Sequence, residues 1–196
     1  HGTYLKFLPA SMHPIDLGAD ICCDSAHKTL PALTGAAYLH LSEKVDRELG
    51  AQVKNALMLF GSTSPSYLIL QSLDGANQQL EHYPERLRTQ IPKLDALKER
   101  LCRQGYSLYG SEPLKLTIQA KPYGYTADRL AELLRQQKIE PEFADQDYLV
   151  LMVSAETSEE TVAHLEQALL QIPPQPPIAE ESPAFAPAEQ VMSIRE

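Results

Sequence analysis

Residues 24–41 read DSAHKTLPALTGAAYLHL, and this stretch decides the predicted fold of the first part of the chain. Two β-prone runs, near residues 19–24 and 36–41, lie on either side of a Lys-Thr-Leu-Pro loop. Both runs are apolar on both faces, which is typical of strands in a covered sheet. We therefore expect two buried strands joined by a short loop.

Three polar side chains follow the first run. If residues 21–25 form a buried strand, Ser25 and His27 point the same way, and Lys28 leaves the strand end, where α/β folds place ligand sites. A lysine amine is a weak nucleophile until burial lowers its pKa, and its typical use is then a Schiff base with a carbonyl such as that of pyridoxal phosphate. The residues alone leave a second interpretation open, a solvated surface pair of lysine and histidine.

Helical patterns follow this stretch. Residues 44–60 predict an amphipathic helix with apolar side chains four apart, at Val45, Leu49, Val53 and Leu57. Ser64 can cap a helix, and Pro65 fits its first position. Residues 67–104 are helical in pattern but contain Pro84 and Pro92, which predicts a broken or kinked pair of helices. Their apolar stripe is expected to face a core: Leu87, Ile91, Leu94, Leu97 and Leu101.

The last part of the chain alternates short strands with helices, which predicts a small α+β unit. Strands are expected over residues 114–120 and 148–153, and helices over residues 126–137 and 158–171. Thr157 and Glu160 have capping-box spacing at the start of the last helix, whose apolar face is Val162, Leu165, Leu169 and Ile172. Six prolines fall within residues 173–187, so an extended tether is expected there.

Composition excludes several classes of function. The 196 residues carry a formal net charge of −9, the wrong sign for binding nucleic acid or an anionic membrane. No run of about 18 apolar residues offers a membrane span. The odd number of cysteines, two of them adjacent, predicts a reduced compartment and hence the cytoplasm. Cys22 and Cys23 are interpreted as small core residues, and because no CxxC or Cys/His spacing indicates zinc, we predict no metal ligand.

The same residues resemble a known family. The stretch 24–41, followed by STSPSYLILQSLD at 62–74 and IEPEFADQDYLVLMVS at 139–154, resembles the Orn/Lys/Arg decarboxylases, which are fold type I pyridoxal-phosphate enzymes. HGTY at 1–4 and MSIRE at 192–196 also match, so the resemblance spans nearly the whole chain. It implies an α/β fold: the C-terminal part of a large domain with a mostly parallel sheet, then a small α+β domain.

The resemblance also implies boundaries. Residues 1–83 are expected to be the end of the cofactor-binding domain, and residues 84–105 an interdomain helical stretch. Residues 106–172 then form the small α+β domain, and residues 173–196 form a proline-rich tether and the start of a C-terminal segment. We therefore expect a piece of a longer protein.

Each matching residue receives a role from the resemblance. Lys28 matches the catalytic lysine that binds pyridoxal 5'-phosphate covalently, and Ser25 and His27 match residues that bind its phosphate. His1 matches a residue lining the cofactor ring. Residues 62–64 match a hydroxyl-rich turn that reaches a phosphate in the neighbouring subunit's site, which implies a homodimer or a higher homo-oligomer. The implied cofactor-binding set is His1, Ser25, His27, Lys28, Ser62, Thr63 and Ser64.

Several alternatives stay open for these residues. Ser25 can instead bind backbone groups, and the hydroxyl-rich turn can be only a helix cap. His27 can be a core histidine, an interpretation that we also give to His13 and His40. Acidic candidates for binding a substrate cation are Glu112, Asp145 and Asp147, which are ordinarily surface residues.

The reaction has alternatives too. The family acts on lysine, ornithine or arginine, and the sequence does not choose among these basic amino acids. A lysine-bound cofactor does not by itself select which bond breaks, so an aminotransferase or another lyase of the same fold is a second hypothesis. A scaffold that has kept the fold without the cofactor is the non-enzyme hypothesis.

We predict that these 196 residues alone have no decarboxylase activity. Relatives carry an aspartate two residues before the position of His1, which pairs with the cofactor's ring nitrogen, and a glycine-rich phosphate loop further upstream; neither is in this chain. The measurement is amine release from lysine, ornithine and arginine by the purified chain with added pyridoxal phosphate. Detectable amine would contradict the prediction.

Overall fold

The computed structural model describes residues 2–61, 64–179, 189 and 191–192. A short hairpin and three helices come first, and a four-stranded sheet with two further helices follows. The mixed α/β class predicted from the sequence is confirmed. Each strand pair in the described residues is antiparallel, so the mostly parallel sheet that we expected is not formed within them.

The two predicted β-prone runs form the hairpin. Strand β1 (Ile21–Asp24) pairs with β2 (Tyr38–Leu41), with Cys22 opposite His40. Strand β1 ends at Asp24, and Ala26–Lys28 form a 3-10 turn. The prediction that Ser25 and His27 share one face of a strand is therefore wrong. The predicted covered sheet is also not formed in the described residues, where most hairpin side chains keep some exposure and Cys23 is exposed rather than in a core.

The first predicted helix is present, but its apolar face is uncovered. Helix α1 (Arg47–Phe60) begins where the Asp46 carboxylate accepts a hydrogen bond from the Leu49 amide at 2.7 Å. No residue of α1 is buried. Its exposed apolar side chains are Leu49, Leu57, Met58, Leu59 and Phe60.

The predicted helical pair is broken once, at residues 80–82, which precede both prolines. Helix α2 (Tyr67–Gln79) is capped by Ser66, whose hydroxyl accepts from the Ile69 amide, and not by Ser64 as predicted. Helix α3 (Tyr83–Gln104) has Pro84 in its first turn, where a missing N–H costs nothing, and continues through Pro92. It ends at Gly105, whose φ of 109° favours glycine.

The predicted α+β unit is confirmed, with two additional short strands. Strands β3 (Ser107–Tyr109), β4 (Lys115–Gln119), β5 (Phe143–Ala144) and β6 (Tyr148–Met152) lie in the order β3-β4-β6-β5. Helices α4 (Ala127–Gln136) and α5 (Glu159–Leu170) start at Thr126 and Ser158. The predicted cap Thr157 is wrong, because the Ser158 hydroxyl accepts from the Thr161 amide.

The core runs along α3 and across the four-stranded sheet. The predicted stripe of α3 is buried except Ile91, which is partly buried, and the predicted face of α5 is buried as well. Strands β4 and β6 alternate buried and half-buried side chains, as expected for a sheet covered on one face. Among the described residues, none of the helices combines the length and the apolar character needed to cross a lipid bilayer.

The start of the proline-rich segment lies against the sheet unit. The Gln175 amide donates to the Tyr123 carbonyl oxygen at 3.1 Å, and the Ile178 amide donates to that of Lys121 at 3.0 Å. Gly124 has a φ of 91°, and a Cβ there would lie 2.4 Å from the Gln175 carbonyl oxygen. The described part, residues 173–179, has no helix or strand, as predicted, but it is docked rather than free.

Replacing Leu97 by Ala is expected to lower the free energy of unfolding by about 2–5 kcal/mol, because it leaves a cavity in a fully buried part of α3. Urea denaturation followed by circular dichroism measures the change. Leu17→Ala removes the same atoms from a side chain that is 71% exposed and should change the value by about 0.5 kcal/mol or less. Equal effects of the two substitutions would contradict the assigned core.

Candidate active site

The turn that follows β1 has a fixed backbone. The Leu30 amide donates to the Ala26 carbonyl oxygen at 2.8 Å, and the Ala26 side chain is fully buried. The hydroxyl of Tyr83, also fully buried at the start of α3, donates to the Thr29 carbonyl oxygen at 2.5 Å. Lys28 therefore projects from a turn that is tied to the core on both sides.

The amine of Lys28 faces the carboxylate of Glu142, which lies 114 residues further along the chain. Its Nζ forms an ion pair with the Glu142 carboxylate, just before β5, and the two side chains are 28% and 29% exposed. Lys28 is the last residue of the 3-10 turn and follows the end of β1 by four residues. Glu142 is not among the site residues predicted from the sequence, because nothing in the local sequence distinguishes it from the neighbouring Glu140.

The three acids considered from the sequence have other partners. Glu112 pairs with Lys115. Asp147 pairs with Lys121, and the Asp145 carboxylate accepts from two backbone amides of its own turn. Each of these three carboxylates therefore has a partner within the protein.

Ser25 and His27 flank Ala26 on the same turn. The His27 Nδ1 donates to the Ala36 carbonyl oxygen at 2.9 Å, so this nitrogen carries a proton and Nε2 is the ring's second polar atom. Ser25 occupies the capping position of the turn, but its side chain makes no capping hydrogen bond. A capping bond would be one way for Ser25 to bind a backbone group, as the alternative interpretation has it, and this bond is not formed.

The remaining predicted site residues are described only in part. His1, Ser62 and Thr63 lie outside the described residues. Ser64 is described and exposed, two residues before the cap of α2. The structure thus brings Ser25, His27 and Lys28 together on one turn.

A second set of polar side chains, His13, Asp24 and His40, lies at the same end of β1. The His13 Nε2 donates to the Asp24 Oδ2 at 2.7 Å, and both side chains are only 4% exposed. The Ile15 amide donates to the His13 Nδ1 at 3.3 Å, which places the ring proton on Nε2. His13 is thus a core histidine with both nitrogens bonded, as predicted.

His40, unlike His13, has a buried ring nitrogen without a hydrogen bond among the described residues. Its Nε2 lies 3.3 Å from the Asp24 Oδ2, yet this atom is buried and makes no hydrogen bond among the described residues. Burial lowers the pKa of His40, and burial together with the Asp24 charge raises the pKa of the neighbouring Cys22 thiol. The interpretation of His40 as a satisfied core histidine is therefore wrong.

A cavity of about 390 Å³ opens beside this second set of polar side chains. Its lining includes Thr3, His13, Tyr38 and His40 together with apolar side chains. The Thr3 hydroxyl is buried and has no hydrogen-bond partner among the described residues. Leu30, whose amide closes the lysine turn, lines this cavity, whereas Ser25, His27 and Lys28 do not.

Comparison with known proteins covers both sequence and fold. A family model described as Orn/Lys/Arg decarboxylase, major domain, matches residues 1–102. The uncharacterized protein YaaO of Bacillus subtilis is 33% identical over 166 residues, covering 78% of this chain and 34% of its own length. The arginine decarboxylase of the same organism is 30% identical over 189 residues, covering 88% of this chain and 38% of its own length.

The fold is shared with a solved decarboxylase. The lysine decarboxylase LdcF of Francisella novicida superposes with a TM-score of 0.70 at 19% identity, over 85% of this chain and 30% of that one. This confirms the predicted fold type I architecture. The chain spans about a third of the length of the relatives it matches. Since the family model covers more than half of the 196 residues, this chain belongs to the Orn/Lys/Arg decarboxylase family.

Proposed function

We propose that the protein containing this chain is a pyridoxal-phosphate-dependent decarboxylase of a basic amino acid, and that Lys28 binds the cofactor. The observation that carries the proposal is the Lys28 amine, held on a fixed turn and facing a carboxylate. Family membership supports decarboxylation, and relatives named arginine and lysine decarboxylases support a basic substrate.

The side chains near Lys28 fit this cofactor. The Ser25 hydroxyl is not used as a cap, and His27 keeps one ring nitrogen beyond its bond to Ala36. The Thr29 hydroxyl is buried and has no hydrogen-bond partner among the described residues. Hydroxyl and imidazole groups suit a phosphate, and a lysine amine suits an aldehyde. When bound, the cofactor supplies the electron sink for loss of the carboxylate.

The residues of this chain then have distinct tasks. Ser25 and His27 would hold the phosphate and so orient the cofactor against Lys28. Because the His27 Nδ1 proton is committed to the Ala36 carbonyl, Nε2 donates to a phosphate only when the ring is protonated. Lys28 would hold the cofactor through its amine, and its Nζ could hold or move a proton when it is not bonded to the cofactor.

Glu142 supports the choice of a basic substrate. Its carboxylate is about two-thirds buried and is paired with the Lys28 ammonium. If Lys28 were bonded to the cofactor, its Nζ would no longer be a free ammonium group for Glu142, and a partly buried carboxylate without a partner is unfavourable. A distal ammonium or guanidinium group of the substrate would replace it.

The proposal includes an oligomer and a cellular location. The uncovered apolar side chains of α1, at Leu57, Met58, Leu59 and Phe60, support a homodimer or a higher homo-oligomer. Free cysteines among the described residues support a cytoplasmic enzyme. We also keep the domain boundaries after residues 83, 105 and 172 as a proposal.

Lys28→Ala in the intact enzyme is expected to lower decarboxylation by about 10²-fold to 10⁴-fold or more and to remove covalent cofactor attachment. Borohydride trapping with peptide mapping, and assays of carbon dioxide against keto acid, measure both effects. Lys93→Ala, which breaks a surface ion pair, is the control and should leave both unchanged. A label on another residue, or keto acid as the main product, would contradict the proposal.

Glu142→Gln is expected to raise KM for the basic substrate about tenfold, or 1.4 kcal/mol, because a charge-assisted hydrogen bond to the distal cation is lost. Steady-state kinetics of the intact enzyme measure it. Glu140→Gln is the matched control, since Glu140 pairs with Arg135 of α4. An unchanged KM for Glu142→Gln, or an equal rise for Glu140→Gln, would show that Glu142 does not meet the substrate.

A further inference from the structure

The backbone that follows Lys28 is held by a bond from a distant helix. Within the turn, the amides of Lys28 and Thr29 donate at 3.3 and 3.2 Å, and that of Leu30 donates at 2.8 Å. The Tyr83 hydroxyl donates to the Thr29 carbonyl oxygen at 2.5 Å. Because short hydrogen bonds hold their partners more tightly than long ones, the bond from Tyr83 fixes the exit of the turn.

Tyr83 is itself held in place. Its side chain is fully buried at the start of α3, and its ring meets that of Phe7 edge to face, with centroids 5.3 Å apart. Phe7 is the last residue of the 3-10 helix Thr3–Phe7. Burial raises the pKa of the Tyr83 phenol, so the hydroxyl keeps the proton that it donates. One side chain therefore contacts both this short helix and the turn of Lys28.

Helix α3 also carries Tyr83 into the part of the molecule that holds Glu142. The helix packs on α5 and on β3. The buried Gln90 side chain of α3 donates to the Thr157 carbonyl oxygen, just before α5, at 3.3 Å. Glu142 lies just before β5 of the same sheet and forms the ion pair with Lys28. Tyr83 thus connects the lysine to the framework of its partner.

We propose that Tyr83 is a positioning residue for Lys28, whose amine it places relative to the Glu142 carboxylate through the Thr29 backbone. The inference rests on the cofactor role proposed above for Lys28. Because Tyr83 is fully buried, it acts through the turn and does not touch the substrate. Catalysis depends on such placement, since a misplacement of about 1 Å can lower a rate about 10²-fold.

Tyr83→Phe in the intact, cofactor-free protein tests this placement without catalysis. The substitution keeps the ring but leaves the Thr29 carbonyl oxygen unpaired. We expect acetylation of Lys28 by limiting acetic anhydride to become about twofold to fivefold faster, because the turn no longer holds the amine against Glu142 and an ion pair of this exposure protects only to that extent. Peptide mapping by mass spectrometry measures the rate, with Lys93 as the internal reference.

Tyr106→Phe is the matched control. Tyr106 is also buried, and its hydroxyl donates to the Leu169 carbonyl oxygen at 2.8 Å, within the unit formed by the four-stranded sheet and its helices. Both variants should lower the melting temperature, but only Tyr83→Phe should change the acetylation of Lys28. Phe7→Leu keeps the Tyr83 hydroxyl and removes its ring contact, so it should act in the same direction and more weakly; it replaces Tyr83→Phe if that variant does not fold.

Kinetics of the cofactor-loaded enzyme give a second readout. Tyr83→Phe should lower kcat about tenfold to 10²-fold and leave KM for the basic substrate within about twofold, because Lys28 moves while Glu142 does not. Equal effects of Tyr83→Phe and Tyr106→Phe on acetylation or on kcat, or a raised KM with an unchanged kcat, would overturn the inference. A borohydride label away from Lys28 in the unmodified enzyme would instead contradict the proposed function, whatever the acetylation rates.

Discussion

The placement of Lys28 depends on a hydrogen bond inside the core, from the Tyr83 hydroxyl to the Thr29 carbonyl oxygen. Tyr83 is the first residue of α3, and α3 packs on α5 and on β3. The bond therefore joins the turn after β1 to the helix that supports the four-stranded sheet. Buried tyrosines that keep a polar partner are rigid, because leaving either group unpaired costs about 1–3 kcal/mol. The lysine is fixed to the same framework that carries Glu142.

The contact between Lys28 and Glu142 is of a different kind. Both side chains are partly exposed, so the ion pair is screened by water and contributes little to stability. A weak, exchangeable pair is compatible with the role proposed for Lys28, whereas a deeply buried pair would resist separation. Stability thus comes from the buried apolar side chains, such as the stripe of α3, rather than from this ion pair.

The β1–β2 hairpin carries two sets of polar side chains. One set lies on the turn after β1, and the other surrounds Asp24 on one face of the hairpin. The chain leaves β1 at Asp24 and turns to present Ser25, His27 and Lys28, while Asp24 itself points back to His13 and His40. Because alternate residues of a strand face opposite sides, Cys22 joins Asp24 and Cys23 does not. One short strand therefore leads into the turn that carries Lys28 and places a nearly buried carboxylate, Asp24, against two histidines.

The sequence by itself determined the order and approximate bounds of the helices and longer strands, since apolar spacing and helix caps are local properties. Its errors at Ser64 and Thr157 concern neighbouring hydroxyls of equal propensity, and backbone geometry selects Ser66 and Ser158 instead. The motif around Lys28 also identified the family. Only the tertiary structure decided that Glu142 meets Lys28, that His40 meets Asp24, and that the apolar face of α1 stays uncovered. These contacts join residues far apart in the chain, and a local pattern records which face is apolar but not what lies against it.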